Sequence, residues 1–161
     1  MDIKPTILID TREQVFDHLA NFYDKNDINY ARKKLDVGDY SFGIIEDGQK
    51  KSFEDEIVVE RKGSGRTGLG ELAVNITKYR DRFERELSAD VQIHLMIEDG
   101  SWKDIIKGNY RSNMSSKSYI ASLLTFLQRY NIHIHMVEKS EVGQWMYNLF
   151  YYYLYEKRKG N

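Results

Sequence analysis

Residues 58–70 read VVERKGSGRTGLG, an apolar strand that closes on three charges and then meets four glycines. Two chemistries compete for this stretch. The glycines spell G-S-G-R-T-G, a formal match to the dinucleotide fingerprint G-x-G-x-x-G, placed after a strand and before a helix. A dinucleotide site, however, needs an apolar strand running directly into the first glycine, and here Glu60, Arg61 and Lys62 intervene. Glu60 would face a pyrophosphate with the wrong sign. The acidic residue that should end a second strand about 20 residues further on is also missing, because Asp81 and Glu84 fall inside an amphipathic helical pattern. No glycine of the stretch is followed by Lys and then Ser or Thr, which removes the P-loop reading. What remains is a strand-to-helix connection, or a set of backbone N–H donors to a DNA phosphate at the helix start.

The charges gain meaning from strand geometry. Side chains alternate along a strand, so Glu60 and Lys62 share one face and Arg61 points to the other. The preceding stretch, YSFGIIEDGQKKSFEDEIVVERK over residues 40–62, reads as a β-hairpin. With residues 47–52 as its loop, Glu46 faces Phe53, Ile44 faces Asp55, Phe42 faces Ile57 and Tyr40 faces Val59. That register gathers Tyr40, Phe42, Ile44, Phe53, Ile57 and Val59 on one apolar face and sets Asp39 opposite Glu60. Opposed residues have Cβ atoms about 5 Å apart, close enough for two carboxylates to share one cation. Mg²⁺ is commonly held by one or two carboxylates plus waters and phosphate oxygens. Lys62 then supplies a compact positive charge that could orient or deprotonate a water, or stabilise charge accumulating on a phosphate. The bland alternative is a solvated strand end.

The rest of the chain fits an α/β arrangement. PTILID (5–10) is a β-branched strand ending in Asp10, and Val15, Phe16, Leu19, Ala20 and Tyr23 follow at helical spacing. INYARKKLDVGDY carries a strand into Gly38 and Asp39. Leu69, Leu72, Ile76, Tyr79, Phe83 and Leu87 make the stripe of a helix over 69–87. VQIHLMIED is a strand, SWKDIIKG a short helix, KSYIASLLTFLQRY a longer one with Ile120, Leu123, Leu124 and Leu127 inward, and NIHIHMVE a strand. Val142, Trp145, Met146, Leu149, Phe150, Tyr153 and Leu154 mark a last helix ahead of a basic tail. Strands alternating with helices around one hairpin describe an α/β sandwich, and 161 residues suit a single domain.

Composition narrows the chemistry. The 24 Lys plus Arg nearly cancel the 25 Asp plus Glu, so any nucleic-acid site is a local patch rather than a basic coat. The absence of cysteine excludes disulfides and thiolate ligands and favours a hard metal. No stretch approaches the roughly 20 apolar residues of a membrane span, so the expectation is a soluble, cytoplasmic protein.

Taken together, DTRE at Asp10 to Glu13, GDY at Gly38 to Tyr40 and VERK at Val59 to Lys62 resemble the motifs of the XPF-type nuclease domain, written G-D-x(n)-E-R-K-x(3)-D. YRDRFEREL (79–87) resembles the small stand-alone members found in phages and prophages, which would place the protein in a bacterial host. The resemblance spans residues 5–100 and, more loosely, the segment from GSWKDIIKGNY onward. It implies a restriction-endonuclease-like mixed β-sheet flanked by helices, and divalent-metal-dependent cleavage of branched or flapped DNA in recombination, replication or repair. Carried over by position, it makes Asp39, Glu60 and Asp10 metal ligands for Mg²⁺ or Mn²⁺, Lys62 the catalytic lysine and Arg61 the motif arginine. Asp10, Arg12 and Glu13 form a cluster at the active-site edge. Where the pattern expects Asp, three residues after E-R-K, this chain has Arg66, and Glu71 is the stand-in acid. No room exists for the helix-hairpin-helix modules of larger members, so substrate grip comes from this domain or from a recombination or replication partner.

Three further groups invite a role. Lys78, Arg82 and Arg85, with Arg66 before them, form either a phosphate-contacting ridge or an ordinary solvated face. His133 and His135 share a strand face and could bind Zn²⁺, but two histidines without a third ligand read as a half-exposed strand. Tyr147, Tyr151, Tyr152, Tyr153 and Tyr155 suit a homodimer interface, which the resemblance also implies. The rival functions are a non-catalytic DNA-structure-binding subunit and, behind it, a nucleotide-binding enzyme.

Overall fold

The computed structural model describes residues 4–86, 90–130 and 132–160, and within these all side chains but those of residues 77, 79, 80 and 82–86. In chain order the elements are β1 (Thr6–Ile9), α1 (Asp17–Lys25), β2 (Tyr30–Arg32), β3 (Tyr40–Glu46), β4 (Gln49–Ser52), β5 (Ile57–Ser64) and α2 (Gly65–Glu86). They continue with β6 (Gln92–Glu98), α3 (Trp102–Lys107), α4 (Ser116–Tyr130), β7 (His133–Val137) and α5 (Val142–Lys159). The chain divides into two compact units, one of residues 1–58 with 139–161, the other of 59–138, and the boundary falls within β5.

In the first unit β1 is the central strand. It pairs in parallel with β2, through Ile7 opposite Tyr30 and Ile9 opposite Arg32, and antiparallel with β3, through Ile9 opposite Tyr40. A parallel neighbour needs a crossover, which α1 supplies while burying Leu19 and Tyr23. The β3 hairpin departs from the sequence expectation. Its turn is only Asp47-Gly48, both at positive φ (50° and 75°), the backbone signature of a tight type I′ connection. Residues 49–52, expected as loop, are strand β4, so Glu46 faces Gln49 rather than Phe53, and Ile44 faces Lys51 rather than Asp55. The expected apolar set is nonetheless buried, from Tyr40, Phe42 and Ile44 to Phe53, Ile57 and Val59. After β4 the chain turns at Phe53, whose carbonyl accepts from the N–H groups of Glu56 and Ile57, and Phe53 stacks on Phe42 at 4.5 Å between centroids. Phe150 of α5 lies 5.2 Å from Phe42 on this stack. Burying each ring contributes roughly 2–3 kcal/mol. Against this core α5 places Val142, Met146, Phe150 and Leu154, four residues apart, while α1 packs beside it.

The second unit carries the later part of β5, then α2, β6, α3, α4 and β7. β5 and β6 are neighbours, and β6 pairs in parallel with β7, through His94 opposite His133 and Met96 opposite His135. Ser101 caps α3 by accepting from the Asp104 N–H at 3.1 Å, and Gly108 ends it in the left-handed conformation. The inward stripe of α4 is rotated from expectation: Tyr119, Leu123 and Phe126 are buried and Leu124 is exposed. The Tyr119 hydroxyl donates to the Leu69 carbonyl at 2.7 Å, pinning α4 to α2. The glycine stretch is not a loop. Gly63 still belongs to β5, and Gly65, Gly68 and Gly70 lie in the first turns of α2, which therefore begins four residues before the expected Leu69. Leu72, Ala73 and Ile76 continue its buried face, while Leu87 lies outside the described residues. Among the described residues no helix is long and apolar enough to cross a membrane.

Candidate active site

In the second unit β5 delivers the E-R-K side chains as alternation requires. Glu60 and Lys62 are 4% and 6% exposed, and Lys62 Nζ donates to Glu60 Oε1 at 2.6 Å. Burying either charge alone would be costly, and the contact sets the two against each other at the strand end. Arg61 is turned to the opposite face, where its Nη2 donates to Glu98 Oε2 at 3.2 Å. Glu98 is itself buried at the end of β6 and has no counterpart in the sequence reading. Its signal was an acid closing the largely apolar run IHLMIE. Glu71 is exposed on α2, and its Oε2 reaches back to 3.0 Å from where a side chain on Gly63 would begin, one residue beyond Lys62. Arg66 turns away, two-thirds exposed and 3.7 Å from Asp104. Lys78 is exposed on α2; Arg82 and Arg85 lie on the same helix, with side chains outside the described ones.

In the first unit Asp39 is half-buried just ahead of β3, and its carbonyl accepts from the Asp10 N–H at 2.8 Å. Asp10 Oδ1 accepts from the Arg12 backbone N–H at 2.8 Å and from Arg12 Nε at 2.7 Å. Its Oδ2 accepts from Arg12 Nη2 at 3.1 Å and the Leu35 N–H at 2.7 Å. These bonds, the Arg12 side chain first, hold the Asp10 carboxyl at a pKa of about 2. Glu13 Oε1 accepts from the N–H groups of Gln14 and Val15 at 2.9 and 3.0 Å.

Among the described residues no group of three or more histidine or acidic side chains is arranged to hold a metal ion. The donor chemistry that is present suits a hard cation: in the second unit Glu60 offers oxygen only, next to a lysine, and in the first unit Asp39 likewise offers oxygen only. Asp10 does not fit, since the four lone-pair directions of a carboxylate are all taken by N–H donors.

The histidines are a stack rather than a ligand set. His94 joins His133 and His135 on one face of β6 and β7, with ring centroids 4.9 and 5.0 Å away, and His94 Nδ1 lies 2.8 Å from His135 Nε2. Parallel pairing puts His94 on that face, so its place could have been found from the register. Burial, then the neighbouring His135 and His133, push His94 down to about 3. The folded pKa lies below the ordinary value of 6.5, so between about pH 6.5 and 3 the unfolded chain binds more protons. Stability present above that window is therefore lost as pH falls through it, at up to about 1.4 kcal/mol per pH unit for this one group. Urea unfolding of His94→Phe at pH 7 and pH 4 should show a loss roughly 3 kcal/mol smaller than that of the parent. Equal losses in both proteins would sink the assignment.

Two solved structures of XPF from Aeropyrum pernix resemble this chain. One is 18% identical with a TM-score of 0.61, over 90% of this chain and 59% of that one. The other, a complex with DNA, is 16% identical with a TM-score of 0.63, over 95% of this chain and 66% of that one. This chain thus spans less than two thirds of either relative. The likeness shows the fold, a restriction-endonuclease-like mixed β-sheet flanked by helices. Comparison with curated proteins gives no match. The family model described as the ERCC4 domain matches residues 9–149, a span that holds the buried Glu60–Lys62 pair, Asp39 and the loop of Asp10 to Glu13, and the chain belongs to that family.

Proposed function

We propose that this protein is a divalent-metal-dependent, structure-selective DNA endonuclease that hydrolyses phosphodiester bonds in flapped, forked or four-way branched DNA during recombination, replication or repair. The observation that carries the reading is the Glu60–Lys62 pair, buried at 2.6 Å in a chain whose ERCC4-domain match includes it. A buried acid–lysine pair is a poor investment in stability, because apolar residues of similar volume usually serve as well or better. A catalytic role is the reading that accounts for such a pair at a strand end. Glu60 would be a ligand of Mg²⁺ or Mn²⁺, which would supply positive charge at the scissile phosphate when bound, and Asp39 is the other acid that the motif names. Lys62 Nζ donates an N–H to the phosphate oxygen on which negative charge builds as water adds to phosphorus and the P–O bond to the leaving strand breaks. Buried beside Glu60, it holds its place without reorganisation. Arg61, tied to Glu98 on the other face, fixes the orientation of the strand end rather than meeting substrate. Glu71 is the acid best placed to replace the one the motif lacks.

The test is a panel of flap, fork, four-way-junction and linear duplex DNAs incubated with the purified chain in Mg²⁺, Mn²⁺ or EDTA. Cleavage of the branched members in either metal, absent in EDTA, is the expected result. Binding of branched DNA with equal affinity in EDTA and Mg²⁺ but no cleavage in any metal would instead identify a non-catalytic DNA-structure-binding subunit.

A further inference from the structure

We infer that the loop of Thr11 to Glu13 is a phosphate-binding loop, with Arg12 as the contacting group and Asp10 as the positioning residue that locks its guanidinium rather than as a cation ligand. The inference rests on the reading of the chain as a DNA nuclease and assigns roles that its motif alone leaves open.

Both carboxylates of D-T-R-E are engaged within the chain, Asp10 buried and Glu13 on its own turn. Asp10 is 1% exposed and accepts four N–H bonds of 2.7 to 3.1 Å, three from Arg12 and one from Leu35. A cation could enter only by displacing one of these donors. Glu13 spends Oε1 on two backbone N–H groups of its own turn. The arginine is the reverse case. Its Nε and Nη2 are anchored on Asp10, Nη2 also donates to the Leu35 carbonyl at 2.7 Å, and yet 63% of its side chain is exposed. An exposed arginine ordinarily spreads over many rotamers and loses that freedom when it binds. Here the loss is already met by folding, which is the preorganisation that makes a guanidinium fork an effective phosphate receptor.

The loop is fixed as firmly as the side chain. Arg32 Nη2 donates to the carbonyls of Thr11 and Glu13 at 2.7 and 3.0 Å, and its guanidinium lies 4.3 Å from the centre of the Phe16 ring. The Glu13 N–H returns to the Asp10 carbonyl at 3.1 Å, and the Asp10 N–H binds the Asp39 carbonyl at 2.8 Å. Arg12 is therefore tied through one backbone bond to the segment that presents the candidate ligand Asp39. A rigid, exposed guanidinium there suits a phosphate of the bound strand, and contact with phosphate rather than base gives grip without sequence preference.

The experiment measures DNA binding in EDTA by fluorescence anisotropy across a salt series, where no cleavage intervenes. Arg12→Gln should weaken binding of branched and linear DNA alike by about tenfold and flatten the plot of log affinity against log salt by about 1 unit. Arg12→Lys should restore the slope but not the full affinity, because the charge returns without the fork. Asp10→Asn turns amide donors toward the donors of Arg12 and Leu35; it should bind DNA as poorly as Arg12→Gln while Mn²⁺ binding to the free protein, followed by calorimetry, stays at the parental level. Parental DNA affinity and salt slope in Arg12→Gln would overturn the inference even if Asp10→Asn fails to fold. Weakened Mn²⁺ binding in Asp10→Asn would return Asp10 to the cation. A parent protein that binds no DNA at all would remove the nuclease reading itself, an outcome separate from both.

Discussion

Lys62→Met and Glu60→Gln are each expected to lower cleavage of branched DNA by roughly 10³-fold or more, the range in which removal of one preorganised charge at a developing anion usually falls. Neither change is silent for folding. The two groups form a buried pair at 2.6 Å, and taking one charge from such a pair typically costs about 3–5 kcal/mol. A dead single variant could therefore be a partly unfolded one, which the double variant Glu60→Gln/Lys62→Met resolves. It removes both charges at near-constant volume, so its melting temperature should recover well above that of either single variant, while its activity stays at the floor. Thermal melts and cleavage of a flap substrate in Mg²⁺ give the two readouts. Non-additive stability together with equal inactivity in all three is the pattern of a catalytic pair. Parental, metal-dependent cleavage by both single variants would sink the nuclease reading.

The parts of this arrangement set by local geometry were readable in advance. Strand alternation placed Glu60 with Lys62 and turned Arg61 away, and it needs no tertiary information. The hairpin strands were readable for the same reason, because Tyr40, Phe42, Ile44 and Ile57 are apolar wherever the turn falls. The turn was misplaced because Gln49, Lys50, Lys51 and Ser52 look like loop. Polar residues at an edge strand are a normal defence against unwanted pairing, and Asp47-Gly48 was the better signal. What depends on contacts far apart in sequence stayed hidden. Glu98 becomes the partner of Arg61 only through packing of β6 beside β5. The motif marks Asp10 and Arg12 as chemistry, yet only the fold shows the carboxylate facing in and the guanidinium facing out. The stripe of α4 was ambiguous because Ile120, Leu123, Leu124 and Leu127 satisfy helical spacing as well as the observed Tyr119, Leu123 and Phe126.

The glycines after Lys62 yield the second large effect, with a sign opposite to local expectation. Glycine inside a helix is unfavourable by about 1 kcal/mol relative to alanine, so helix propensity alone says that Gly68→Ala and Gly70→Ala should stabilise α2. The packing says otherwise. A Cβ on Gly70 would overlap the Arg111 carbonyl oxygen and lie 2.8 Å from its carbon, and one on Gly68 would lie 2.7 Å from the Lys62 carbonyl oxygen and 2.8 Å from the Gly63 carbon. All four are backbone atoms, which cannot swing aside as a side chain does. Gly70→Ala is therefore expected to destabilise by about 3 kcal/mol, the upper range for overpacking, because α2 or the segment at Arg111 must shift bodily. Gly68→Ala presses instead on the strand end that carries Lys62. A displacement of that end by a fraction of an ångström should cost less stability but roughly 10²-fold in cleavage, since misplacement by about 1 Å is enough for such a loss. Thr67→Ala, exposed on the same turn, serves as the control and should leave both quantities within error. Higher melting temperatures for the two glycine variants would mean that these positions are merely weak points of a helix. Lower ones would mean that the glycines let α2 start against the strand that holds the Glu60–Lys62 pair, so that one tight junction sets both the fold of VVERKGSGRTGLG and the position of its lysine.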